Sequence, residues 1–301
     1  CMADPGVYPD EGYRLEINVS GIVIEASTEE GLFYAVQTLQ QTLPVNAQGE
    51  VKLPCVEIED SPRFKWRGLH LDVCRHFFDI DFVKRYIDWM AMHKYNVFHW
   101  HLTEDQGWRF EVPDFSGLSD VSAWRYETGG DRYGGYYTQA EIREVLQYAR
   151  EKFVRVVPEI ELPGHAQAAL AAYPEYSCTG GPFEVVSEWG VFDEVFCAGN
   201  DATFQFLEQV FEQVVDLFPD DYVHIGGDEC PKKRWKECTK CQKRMRDEGL
   251  ANEEELQSYF VRHFASWLSN RGKRPIGWDE ILEGGLPETA TVMSWRGEEG
   301  G

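Results

Sequence analysis

Two adjacent carboxylates, Asp228 and Glu229, stand directly after two glycines, Gly226 and Gly227. The residues before them, Tyr222-Val223-His224-Ile225, form a β-rich run too short for a helix. The spacing predicts a strand that stops at the glycines, where the backbone is free to take unusual dihedrals. Both acids are then delivered at the strand's C-terminal tip. Side-by-side carboxylates repel, and burial raises the pKa of at least one of them. Such a pair supplies one carboxyl kept protonated as a general acid beside one that stays ionised. An acidic surface turn would have the same composition, so the elements around the pair must decide.

Those elements alternate. Strands are predicted from Gly68 to Val73, Asn96 to Leu102, Val154 to Ile160, Tyr222 to Ile225, Pro275 to Trp278 and Thr291 to Trp295. Between them, apolar residues recur at helical spacing. One helix runs from Asp81 to Met92, and another follows the capping box Thr138-Gln139-Ala140-Glu141. Phe204, Leu207, Val210, Phe211 and Val214 mark a third, and Leu256, Tyr259, Phe260, Phe264, Trp267 and Leu268 a fourth. Alternating strands and helices mean α/β with a parallel sheet. Nearly every strand runs into a polar cluster: Asp72 to His76, His101 to Gln106, Glu159 to His165, Asp228-Glu229, Asp279-Glu280 and Arg296. Active groups at every strand's C-terminal end are the habit of a (β/α)8 TIM barrel. A doubly wound sheet gathers its ligand groups at one switch point, and the chain has no G-x-G-x-x-G or Walker loop. The long segments 107–137 and 163–200 would lie on the same face and shape a pocket.

Six barrel strands are legible where closure needs eight, and the sixth ends close to Gly301. The chain is therefore expected to be a segment of a longer protein. Before the barrel, Tyr13 to Glu25 alternates about a Ser20-Gly21 turn and reads as a β-hairpin, and Glu29 to Leu43 as a helix. So small a unit is not expected to bury a core of its own. Residues 44–63, with Pro44, Gly49, Pro54 and Pro62, read as a linker or edge strand. The division is thus 1–60, the end of a small α/β domain, and 61–301, an incomplete barrel.

Composition narrows the partners. The 301 residues are 43% hydrophobic and 14% aromatic, enough for a sizeable core. A net charge of −23 excludes nucleic acid and anionic membrane as partners. The sequence holds no apolar run of membrane-spanning length and no visible signal peptide. The eight cysteines are too sparse for a disulfide scaffold. Cys178 and Cys197 flank one loop and are candidates to pair. Cys230, Cys238 and Cys241 offer a C-x7-C-x2-C cluster with no obvious fourth zinc ligand nearby, and free thiols are the alternative. No metal ligand is assigned and no cofactor expected.

Six stretches taken together resemble glycoside hydrolase family 20, the β-N-acetylhexosaminidases. They are Arg67-Gly68-Leu69-His70-Leu71-Asp72-Val73-Cys74-Arg75-His76-Phe77, His99-Trp100-His101-Leu102-Thr103-Glu104-Asp105-Gln106-Gly107-Trp108-Arg109, Pro158-Glu159-Ile160-Glu161-Leu162-Pro163-Gly164-His165, His224-Ile225-Gly226-Gly227-Asp228-Glu229, Gly277-Trp278-Asp279-Glu280 and Ser294-Trp295-Arg296-Gly297. Each alone is weak; six in the family's order are specific. The resemblance implies removal of terminal β-linked N-acetylglucosamine or N-acetylgalactosamine with retention, the substrate's own acetamido oxygen acting as nucleophile. It implies Glu229 as acid/base and Asp228 as the partner of the acetamido N–H. Asp105 and His165 look like the pair that supports the acid. Arg67 resembles an arginine that binds the sugar hydroxyls, and Trp278 and Trp295 the walls around the acetamido methyl; an ion-paired Arg and core aromatics are the plainer readings. An extracytoplasmic setting is likewise only implied.

Two features depart from the family. Glu104 and Glu161 stand where many members carry Asp, which favours Asp105 over Glu104 as the working acid of its loop. The family's Tyr and acid of strand seven, and its Trp and acid of strand eight, have no counterparts in these residues. Release of an N-acetylated disaccharide, as in lacto-N-biosidases, stays open beside the exo-acting reading, as does a non-catalytic glycan-binding barrel. The natural glycan, the linkage and the oligomeric state are not legible.

Overall fold

A computed structural model of the chain describes residues 1–44 and 49–298. Residues 45–48 of the expected linker, and the last three residues, lie outside that description. The chain divides into two units: residues 1–69, 81–98 and 147–155 form one, and 70–80, 99–146 and 156 onward the other.

In the first unit, β1 (Tyr13–Asn18) and β2 (Gly21–Ala26) form the expected antiparallel hairpin. Helix α1 (Glu29–Thr42) follows, its N-terminus capped by Thr28, whose Oγ1 accepts from the Gly31 N–H at 3.1 Å. The segment read as linker or edge strand supplies β3 (Val56–Asp60), which pairs antiparallel with the free side of β1. The sheet order is β2-β1-β3. Alternation along β1 turns Tyr13, Leu15 and Ile17 to one face, where they are buried with Ala26, Tyr34 and Ala35. The expectation of no core is thereby corrected. A third strand and Val56, Ile58 and Leu53 close a small cluster around these side chains.

The barrel elements follow in order: β4 (Gly68–Asp72), α2 (Ile80–Met92), β5 (Val97–His101), the two-residue pair β6 (Thr103–Glu104) and β7 (Gly107–Trp108), then α3 (Gly117–Asp120). Next come β8 (Trp124–Tyr126), β9 (Arg132–Gly134), α4 (Gln139–Arg150), β10 (Arg155–Leu162), α5 (Gln167–Ala172) and α6 (Asp201–Leu217). Last are β11 (Tyr222–Gly226), α7 (Lys233–Glu237), α8 (Thr239–Glu248), α9 (Glu253–Ser269), β12 (Arg274–Trp278) and β13 (Thr291–Met293). The six long-predicted strands form one sheet in the order β4-β5-β10-β11-β12-β13, each beside its predecessor in the chain. β10, β11, β12 and β13 pair parallel. This is the wall of a (β/α)8 barrel.

Local signals set these elements. The capping box closes both ways: the Thr138 N–H donates to Glu141 Oε2 at 2.8 Å, and the Glu141 N–H to Thr138 Oγ1 at 3.2 Å. α6 buries all five residues that marked it. α9 starts at Asn252, whose Oδ1 accepts from the Glu255 N–H at 2.9 Å. The segment 107–137 is pinned by Arg109. This fully buried guanidinium donates to the carbonyls of Val73, Ala123, Cys74 and Gly135 at 2.6–3.1 Å. Among the described residues, no helix is long and apolar enough to cross a membrane.

Candidate active site

Strand β11 brings the acids to its tip as expected. Gly226 and Gly227 take φ of +67° and +99°, and a Cβ on Gly226 would fall on the carboxylate of Glu161. Glycine is needed there on both counts. Glu229 itself has φ +44°, and His165 has φ +50°. Left-handed backbone is uncommon for such residues and clusters at functional sites. The Asp228 side chain is 17% exposed and that of Glu229 37%, so the second acid is the more open.

His165, after β10, reaches both acids. Its Nε2 lies 3.4 Å from Asp228 Oδ2 and 3.6 Å from Glu229 Oε2. Its Nδ1 lies 3.1 Å from Asp105 Oδ2 and 2.9 Å from Glu104 Oε1. The second oxygen of Asp105 accepts the Gln167 N–H at 2.9 Å, which fixes that carboxylate. Glu104 thus shares the histidine with Asp105, and the geometry does not single out the aspartate. Burial opposes a charge on His165, but Glu104, Asp105 and Asp228 outweigh it and hold the imidazole well above its ordinary value. Burial also pushes Asp228 up; the hydrogen bond and charge of His165 prevail and hold it below the usual carboxylate range. For Glu104 burial wins, and its carboxyl is pushed up to about 7 despite His165.

Glu161, which stands where many family members carry Asp and was assigned no role from the sequence, joins the site. It is fully buried on β10, and its N–H donates to Thr103 Oγ1 at 2.8 Å. Burial first, then Asp228 and Glu159, raise its carboxyl well above the ordinary value. Burial and the neighbouring carboxylates therefore disfavour charge on Glu161, while His165 favours it on Asp228.

Two residues earlier, Glu159 is the centre of a second cluster. His99 Nε2 lies 2.8 Å from its Oε2, His224 Nδ1 3.0 Å from its Oε1, and the Trp278 Nε1–H donates to Oε1 at 2.7 Å. Burial works against charge on both Glu159 and His99. At Glu159 the surrounding imidazoles outweigh it and hold the carboxyl well below its ordinary value; at His99 burial wins and lowers the ring to about 3. The edge near β13 is tied by Trp295, half exposed, whose Nε1–H donates to Glu280 Oε2 at 2.9 Å.

Asp105, His165, Asp228, Glu229, Trp278 and Trp295 all belong to the second unit. Arg67 does not join them, which corrects its expected place. It precedes the first residue of β4, at the N-terminal end of the strand, and is held within the first unit. Its Nη2 donates to Glu11 Oε2 at 2.5 Å, its Nε to the Lys94 carbonyl and its Nη1 to the Phe64 carbonyl, both at 2.7 Å. The arginine at the C-terminal end of that strand is Arg75. It pairs with Glu104 and with Asp72 Oδ2, the latter at 2.9 Å, and lies 4.9 Å over the exposed ring of Trp189. Burial raises Asp72, but His101, Arg75 and two backbone N–H groups hold it at about 2. Arg75 was visible in the same motif as Arg67; its place after the strand rather than before it was the signal.

Side chains able to hold a metal ion bring donor atoms within 4.8 Å of one another at His99, Glu159 and His224, at His70, His101 and Glu159, at Glu104, Asp105 and His165, and at His165, Asp228 and Glu229. In the first, Glu159 Oε1 is already taken by Trp278. The cysteines depart from expectation. Cys178 and Cys197 are free thiols rather than a bridge, and both join Cys238 and Cys241 in one group that leaves Cys230 out.

Comparison with known proteins gives the family. Residues 64–301 match the model of the glycosyl hydrolase family 20 catalytic domain, and residues 3–61 match that of the family's domain 2. A β-hexosaminidase of Porphyromonas gingivalis is 53% identical over 298 residues, 97% of this chain and 38% of its own length. A β-hexosaminidase of Vibrio furnissii is 39% identical over 96% of this chain and 49% of its own length. Among solved structures, an exo-β-N-acetylglucosaminidase of Vibrio harveyi in complex with N-acetylglucosamine superposes with a TM-score of 0.90 at 35% identity. That match covers 99% of this chain and 48% of the other. The chain thus spans about half the length of these relatives or less.

Proposed function

The chain belongs to glycosyl hydrolase family 20, and from that premise we propose that the protein carrying it is a retaining exo-β-N-acetylhexosaminidase. It removes terminal β-linked N-acetylglucosamine or N-acetylgalactosamine from glycans. The observation that carries the reading is the asymmetry of the pair on β11. Asp228 is held ionised by a buried, cationic His165, while its neighbour Glu229 is displayed towards solvent.

Most retaining glycosidases attack with a second carboxylate about 5–5.5 Å from the acid. Here the two carboxylates are consecutive in the chain, and the reading gives the attack to the substrate. The acetamido oxygen adds to the anomeric carbon as the glycosidic C–O bond breaks, and Glu229 protonates the departing oxygen. The oxazolinium ring that forms carries positive charge beside its N–H. Asp228 accepts that N–H and stabilises the charge, and it does so because the hydrogen bond and charge of His165, with a hydrogen bond from Glu161, keep it anionic. Glu229, now ionised, takes a proton from water, which opens the ring with overall retention. Asp105 and Glu104 orient His165, and Trp278, fixed by Glu159, flanks the acetamido methyl together with Trp295. The sugar-hydroxyl role expected of Arg67 passes to Arg75, which sits at the catalytic end of β4.

Assays of the full-length protein on aryl N-acetylglucosaminide, N-acetylgalactosaminide and lacto-N-bioside separate the readings. Release of the monosaccharide supports the proposal. Release of the disaccharide alone supports a lacto-N-biosidase, and binding without turnover a glycan-binding barrel.

A further inference from the structure

Cys178, Cys197, Cys238 and Cys241 bring four sulfurs to within 4.8 Å of one another. The Sγ atoms of Cys178 and Cys241 are 3.7 Å apart, those of Cys197 and Cys238 3.8 Å, and those of Cys197 and Cys241 3.6 Å. A disulfide needs about 2.05 Å. Four thiolates about 2.3 Å from a tetrahedral Zn²⁺ lie roughly 3.8 Å from each other by simple geometry. Three of the six sulfur–sulfur separations thus match the edges of that tetrahedron, and the other three lie within 4.8 Å.

The backbone around them supports the same reading. Two ligands come as Cys-x-Gly, in Cys178-Thr179-Gly180 and Cys197-Ala198-Gly199. The other two come as Cys-x-x-Cys, with Cys238 at the N-cap of α8 and Cys241 in its first turn. Gly180 takes φ +81°. Gly199 lies against the peptide joining Lys240 to Cys241, and a Cβ there would collide with those backbone atoms. Two chain segments distant in sequence are therefore pressed together, backbone on backbone, just where the thiols meet. Cys197, Cys238 and Cys241 are buried and Cys178 partly so.

We infer that these four cysteines bind one structural zinc ion. Four protein thiolates leave no open coordination position, so the ion has no part in the chemistry. Its role is to join the segment that follows β10, which carries His165, to the segment that follows β11, which carries Asp228 and Glu229. The site does not rest on the proposed glycosidase activity, since the same ligand set would hold zinc in an inactive protein.

The test is metal analysis of the full-length protein, purified in reducing buffer without chelator. About one zinc per chain is expected, with an X-ray absorption edge fitted by four sulfurs at about 2.3 Å. Cys241→Ser should lower the zinc content at least tenfold, while Cys230→Ser should leave it unchanged. Removing zinc from the wild-type protein with a strong chelator should lower its melting temperature and speed hydrogen exchange in 176–199 and 232–245. Less than a tenth of an equivalent of zinc would overturn the inference, whether the four thiols are then found free or in two disulfides. Zinc bound through nitrogen or oxygen would overturn it as well. The absorption measurement on wild-type protein decides even if the variant fails to fold.

Discussion

The indole N–H of Trp278 donates to the buried carboxylate of Glu159 across 2.7 Å. One residue lines the proposed acetamido pocket; the other sits in the barrel interior among His99, His101 and His224. The contact sets the plane of the ring. Trp278→Phe keeps an aromatic wall but removes the indole donor from Glu159 Oε1, which is left with His224 alone. A buried charged group losing a hydrogen bond costs about 1–3 kcal/mol. The expected outcome is a lower melting temperature together with a several-fold rise in KM. An unchanged melting temperature would show that the contact does not hold the ring.

His165 makes the fold sensitive to alkali. Its pKa stands above the roughly 6.5 of an unfolded histidine. The cationic ring thus stabilises the native state fully below about pH 6.5, and that contribution fades as pH climbs through the raised value. Melting temperatures of wild type and His165→Gln should differ most in mild acid and converge in alkali. A gap that stays constant with pH would mean the ring is neutral throughout.

The two arginines of the first motif should separate cleanly. Arg75→Ala, at the catalytic end of β4, is expected to cut kcat/KM by about 100-fold through lost positioning. Arg67→Ala removes the ion-pair partner of Glu11 and leaves it only the Asn96 amide. It should lower the melting temperature and leave kcat/KM within a few-fold. The reverse pattern in steady-state kinetics would return the sugar-binding role to Arg67.

Glu229→Gln should lose about 10²–10⁴-fold on natural glycosides, where the leaving oxygen needs a proton. Aryl substrates with acidic leaving groups need less help, and their first step should suffer less. A leaving-group series with equal losses throughout would remove Glu229 from the acid's role.

What was legible in the sequence was local. The strand before Asp228, the capping box at Thr138 and the apolar stripe of α6 each declare themselves within a few residues, and each stands where expected. What was not legible depends on distant partners. Cys178 and Cys197 meet Cys238 and Cys241 only because the segments after β10 and β11 fold onto one another. A window around Cys230 instead suggested that residue, merely the nearer neighbour. Glu161 looks like any strand acid until its burial beside Asp228 shows why its carboxyl is raised. Arg67 and Arg75 lie in one motif, and choosing between them takes the direction of β4. The two-residue strands β6 and β7 carry no periodicity at all.

The central claim is that the substrate's acetamido oxygen is the nucleophile and that ionised Asp228 stabilises the ring it forms. Replacing the acetyl group by mono-, di- and trifluoroacetyl withdraws electron density stepwise with little change of shape. The account predicts that kcat/KM falls steeply along this series, and that Asp228→Asn costs about 10²–10³-fold on the acetylated substrate. A flat series, or a glycosyl adduct trapped on any Asp or Glu of the chain and found by mass spectrometry, would contradict it.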